Sequence, residues 1–165
     1  MESEESQVPL DRDEERLWRA LQRVTIALPR VLDDDLLRST GLTLTEYAVL
    51  MNLSEAPEHE LRMADLASAT ALSASRITRV VEQLQSRALV DKRRCADDGR
   101  SHIASLTEEG LSRLKAAYPS HLNSARRHVL DHVDARSTKR IADLLVKIAE
   151  QLDPDAAQPQ SRRRG

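Results

Sequence analysis

The stretch RRCADDGRSHIASLT, from Arg93 to Thr107, constrains the fold of this chain more than any other. It sets Asp-Asp-Gly between two candidate strands, LVDKRR and SHIASL; Asp tolerates turn geometry, and Gly supplies a positive φ without steric cost. Helices flank this hairpin on both sides. Ser73 can cap the preceding one, on which Ile77, Val80, Val81 and Leu84 turn inward while Ser75, Arg76, Thr78 and Arg79 face outward. Thr107, followed by Glu108 and Glu109, can cap the next. The chain has no Phe, two Tyr and one Trp, so its core has to be aliphatic, and its wealth of Leu, Ala, Arg and Glu makes it mostly helical. The expected class is α with a small sheet. Arg100, at the tip of the turn, is either a solvated charge or a functional one.

At 165 residues the chain reads as one domain. The acidic residues 1–13 and the polar, Pro-containing residues 153–165 read as mobile ends of a domain spanning 14–152. Over about 14–38, Leu17, Leu21, Val24, Leu28, Val31 and Leu32 form one helical stripe, which Pro29 should kink or interrupt. TLTE, Thr43 to Glu46, fits a capping box opening a helix to about Glu55. LRMADLASATALS reads as a connection and a short helix with Leu66 and Ala67 inward. A long helix from Thr107 reaches about His132 with Pro119 inside it. A last helix from about Ala135 to Leu152 aligns Ile141, Leu144, Leu145, Ile148 and Leu152.

The net charge of −2 is unevenly spread. Over 1–16, seven acids face two arginines; over 76–100, seven basic residues face four acids, and this basic segment is the informative quantity. The single Cys95 cannot form an internal disulfide, and no run has transmembrane or signal-peptide character, so a cytoplasmic protein without membrane association is expected. No Gly-rich phosphate loop, nucleophile elbow or multi-residue metal cluster is present; neither an enzyme nor a cofactor is expected.

A short helix, a tight turn and a Ser-capped helix with basic residues in its first turns form the pattern of a helix-turn-helix, and the hairpin makes it winged. Such a helix enters the major groove N-terminus first, which asks for short or flexible donors at its start: Ser73, Ser75, Arg76, Thr78 and Arg79. Lys92, Arg93 and Arg94 extend the basic surface onto the hairpin. In order along the chain, LTLTEYAVLMNL, ASRITRVVEQLQSRALVDKR, DDGRS and LTEEG resemble the MarR family of winged-helix transcription regulators, over roughly Leu17 to Leu152. The family's Asp-x-Arg falls on Asp98 and Arg100, and its Leu-Thr-x-x-Gly on Leu106, Thr107 and Gly110. Two departures stand out: Ala88 replaces the usual Gly before the first wing strand, and Lys92 holds the usual basic position.

The resemblance implies a mainly α fold with a small β-wing. A winged helix-turn-helix lobe over about 43–107 is joined to dimerisation helices from both termini, about 14–38 and 108–152. It implies a homodimer on a palindromic double-stranded DNA site, with Arg100 in the minor groove and Asp98 holding the wing in position. It further implies a repressor released by a small phenolic or aromatic effector bound between the dimer helices and the lobe, with Trp18 and Tyr47 as wall residues. For these two, core packing is the plainer alternative. Cys95 reads as an incidental exposed thiol, with a redox sensor as the alternative. His121, His128 and His132 share a helical face on which His128 and His132 could clasp a metal, but surface or dimer-contact histidines are the expectation, and no metal site. A protein-binding adaptor or antirepressor built on the same fold is the rival function.

Overall fold

The computed structural model describes residues 8–95 and 101–152. Helix α1 (Arg12–Thr40) opens on Asp11, whose carboxylate accepts from the N–H groups of Asp13 and Glu14 while Glu14 accepts from the Asp11 N–H. Helix α1 therefore begins slightly earlier than the helix expected from about 14, because a complete capping box sits inside the acidic segment. Pro29 does not interrupt α1, nor does Pro119 interrupt α5 (Glu108–His128). Both prolines are exposed, so the carbonyl deprived of its donor in each case can be met by water. α1 ends at Gly41, whose φ of 70° is the left-handed conformation a C-terminal cap requires.

Helix α2 (Leu44–Glu55) carries the expected capping box, with Thr43 and Glu46 exchanging hydrogen bonds of 2.8 and 3.1 Å. A single 3-10 turn then leads into strand β1 (Glu60–Arg62), which the sequence pattern did not reveal. β1 is followed by α3 (Met63–Ala69), a turn, α4 (Ala74–Ser86), β2 (Val90–Arg94) and β3 (His102–Leu106). The sheet is antiparallel in the order β1-β3-β2, with Leu61 opposite Ala104 and Lys92 opposite Ala104 on the other side. The turn between α3 and α4 bends at Ala71, φ 52°, and returns the Leu72 N–H to the Ala67 carbonyl.

The core lies where α1's last turns, α2, α3, α4, the sheet and α5 meet: Leu36, Leu50, Leu53, Leu66, Ile77 and Leu84 are fully buried. Burial of each such side chain contributes roughly 1.5–3 kcal/mol. Two backbone features lock the hairpin to this core. Ala88 takes a φ of 56°, the conformation that its position asks of glycine. At Gly110 a Cβ would lie 2.0 Å from the Leu89 carbonyl oxygen, so only glycine lets α5 approach that closely. Thr107 completes the joint, its hydroxyl donating to the Ala88 carbonyl at 2.8 Å and accepting from Gly110.

α5 ends at His128, and a 3-10 turn over Leu130–His132 precedes α6 (Ala135–Leu152). α6 has no buried residue; Ile141, Leu144, Leu145 and Ile148 are exposed, as are Leu17, Trp18 and Val24 of α1. No described helix is long and apolar enough to cross a membrane.

Candidate nucleic-acid interface

The lobe presents α4 by its N-terminal end. The Ser73 hydroxyl oxygen accepts from the Arg76 N–H at 3.4 Å, and Ile77, Val80, Val81 and Leu84 hold the inner face in the core. Ser73, Ser75, Arg76 and Arg79 are exposed on the other face; Thr78 is half-buried, with its hydroxyl donating to the Ala74 carbonyl at 2.9 Å. The arginines, three apart, share one side of the helix. With Asp33, Thr43, Thr45, Ser75 and Gln83 they line an open cleft of about 530 Å³. Asp33, held by accepting the Leu44 N–H at 2.7 Å, places a carboxylate on the wall of the same cleft without pairing with either arginine.

On the hairpin, Lys92 lies 3.5 Å from Glu82 of α4 with only 19% of its side chain exposed, and Arg93 pairs with Glu60 of β1 at 2.6 Å. Arg94 is exposed at the end of β2. Lys92 and Thr78 also border a second cleft of about 320 Å³ with Arg62, Met63, Ser101 and His102. Asp98 and Arg100 lie outside the described residues. Cys95 is buried rather than exposed, and its N–H donates to the Ser101 carbonyl at 2.9 Å, extending the β2–β3 pairing by one step.

Trp18 and Tyr47 are not brought together. Tyr47 is in the core, its ring centred 4.4 Å from that of His121, whereas Trp18 is half-exposed on α1, so the core-packing alternative holds for Tyr47 and not for Trp18. The three histidines do not share a face either. Burial against Tyr47 pushes the His121 pKa down, His128 bonds to Asp35 at 2.9 Å, and His132, past the end of α5, bonds to the Arg127 carbonyl at 3.0 Å. His121 and His128 are thus half-buried and engaged in contacts within the chain. Among the described residues no group of three or more His, Cys, Asp or Glu side chains could hold a metal.

Several residues that shape this surface escaped sequence reasoning. Glu60 and Glu82 reach Arg93 and Lys92, and Asp33 reaches the cleft beside α4, only through the tertiary fold. Asp35 gathers Ser124 at 2.6 Å, His128, Arg127 and Arg38, joining α1 to α5. These bonds, Ser124's foremost, hold its carboxyl well below the usual carboxylate range. Three consecutive acids, Asp33 to Asp35, were the available signal, but an acidic run on a helix ordinarily reads as a solvated face.

A model of the MarR family matches residues 40–101, from the end of α1 to the residue before β3. A MarR family transcriptional regulator from Streptomyces coelicolor, solved in complex with DNA, is 29% identical with a TM-score of 0.85, over 93% of this chain and 96% of that one. AbsC, a MarR family transcriptional regulator from the same organism, is 35% identical with a TM-score of 0.80, over 88% of this chain and 98% of its own. The PcaV transcriptional regulator, also from Streptomyces coelicolor and solved with its natural ligand, is 27% identical with a TM-score of 0.68, over 87% and 98%.

Proposed function

Because the chain belongs to the MarR family of winged-helix transcriptional regulators, we propose that it binds a palindromic operator as a homodimer and represses until a small effector releases it. The observation that carries this reading is α4. Its first turns expose Ser73, Ser75, Arg76 and Arg79, and neither guanidinium has an ion-pair partner among the described residues. Such a helix end meets the major groove with donors that can reach the O6 and N7 of guanine. Thr78 adds a hydroxyl acceptor at the helix flank. Lys92, Arg93 and Arg94 supply charge toward the phosphates, and Arg100, with Asp98 steadying the turn, reads the minor groove.

The dimer is the covering the exposed stripes of α1 and α6 call for, since a lone subunit would leave a large apolar patch in water. The winged lobe spans about 43–107, with dimerisation segments at 12–40 and 108–152. A two-fold axis then sets the two copies of α4 on successive half-sites. The effector is a small aromatic or phenolic compound; that a relative, PcaV, binds a natural ligand supports an effector, and Trp18, left half-exposed on α1, supports its aromatic character. The protein acts in the cytoplasm and catalyses no reaction.

The test is selection of bound duplexes from random DNA, followed by fluorescence anisotropy on the selected operator. Arg76→Ala and Arg79→Ala should each cost about 1–3 kcal/mol and relax preference at particular base pairs. Recovery of no preferred sequence by the parent protein would overturn the reading.

A further inference from the structure

Arg87, at the C-terminal end of α4, is remote from the helix start that faces outward, yet it is the most elaborately anchored charge on that helix. Its backbone N–H closes α4 on the Leu84 carbonyl, while its side chain turns back to α2 and the α1–α2 corner. Nη1 donates to Glu46 Oε1 at 3.1 Å and Nη2 to the Gly41 carbonyl at 3.3 Å. Glu46 is buried, and its other oxygen accepts the Thr43 N–H. The neighbouring Thr40 carbonyl accepts from Arg113 of α5. Two arginines, from the end of α4 and from α5, thus hold consecutive carbonyls at the corner where α1 hands over to α2.

The rest of α4 is seated by apolar side chains, whose attraction is non-directional, and by one partly solvent-exposed pair, Glu82 with Lys92; neither fixes its tilt as a buried, directional contact does. A buried carboxylate, by contrast, is costly to leave without its cation, so the Glu46–Arg87 contact resists sliding or tilting of the helix end. From Arg87 to Arg76 the helix is a lever of about 16 Å, on which a tilt of about 5° moves the arginine by more than 1 Å. Hydrogen bonds to base edges do not survive such a shift.

We propose that Arg87 is a positioning residue for DNA recognition: clamped to Glu46 and the Gly41 carbonyl, it sets the angle at which α4 presents Arg76 and Arg79. The assignment rests on the regulator reading above.

The experiment compares the parent with Arg87→Gln, Arg87→Lys, Glu46→Gln and the Arg87→Gln/Glu46→Gln double variant, by anisotropy on the selected operator and on a scrambled duplex, alongside thermal melts. Glu46→Gln keeps the capping acceptor and removes the charge. Arg87→Gln should lose about tenfold on the operator and less than about twofold on the scrambled duplex. Arg87→Lys should recover part of the loss. Glu46→Gln should reproduce it, and the double variant should be little worse than either single one, as coupled partners require. Equal losses on both duplexes with a shallower salt dependence would make Arg87 a phosphate contact and overturn the assignment. So would a lowered melting temperature with an unchanged ratio between the two duplexes. Should Arg87→Gln not fold, the ratio for Arg87→Lys and Glu46→Gln decides. A parent protein that selects no sequence overturns the regulator reading itself, and does so before any variant is made.

Discussion

At Gly110 a single missing methyl group decides how α5 meets the hairpin. On an exposed helical surface, replacing Gly by Ala is worth a gain of about 1 kcal/mol. Here the added Cβ would lie 2.0 Å from the Leu89 carbonyl oxygen, so the helix and the hairpin must separate. Gly110→Ala should instead lose about 2–3 kcal/mol in urea unfolding, the scale of overpacking in a filled core; a stability equal to or above the parent's would show that the contact yields. Asp35 offers a second test, through pH. Its folded-state pKa lies below the ordinary 3.8, with Ser124 the largest cause and His128, Arg127 and Arg38 adding to it. The unfolded chain therefore binds this proton at higher pH than the folded one. Stability from the cluster is present above the ordinary carboxylate pKa and is lost as pH falls below it. Asp35→Asn should melt lower than the parent at neutral pH, and the gap should begin to narrow below about pH 5 and go on narrowing below about pH 3. Parallel melting curves across that range would contradict the assignment.

Among the elements, those with local punctuation were legible in the sequence. Thr43, Ser73 and Thr107 cap the helices they were expected to cap, because the donors they satisfy lie within three residues of each. The inward face of α4 was read correctly for the same reason: four apolar residues at helical spacing need no knowledge of the rest of the chain. Strand β1 was missed because Glu60–Arg62 is too short for a pattern and exists through its pairing with β3. The interruption expected at Pro29 does not occur, whereas Pro119 lies inside its helix as expected; whether a proline breaks a helix depends on whether water can reach the freed carbonyl. Within the interface the outward residues of α4 were visible, whereas the carboxylates beside the hairpin's cations were not. That neighbourhood carries its own prediction. Removing the charge opposite Lys92 with Glu82→Gln should strengthen binding to unrelated duplex DNA about two- to fivefold at low salt and steepen the salt dependence. Unchanged binding would mean that Lys92 faces away from the phosphates.

For the molecule as a whole, the core occupies the winged lobe and its junction with α1 and α5, and the apolar faces of α6 and the first half of α1 lie outside it. Leu145→Glu with Ile148→Glu should halve the mass seen by light scattering, since a charge forced into an apolar contact costs several kcal/mol; an unchanged mass would move the interface elsewhere. α6 is an 18-residue helix without a buried side chain, and a protein helix draws most of its stability from packing of its apolar face rather than from propensity. Its order is then a matter of mass action. As the protein is diluted through the dissociation constant of the proposed dimer, trypsin should come to cut at Arg136, Lys139 and Arg140 while the lobe stays resistant. The number of molecules in the cell, as well as any effector, would thereby set how much of the chain is helix and how much is substrate for a protease.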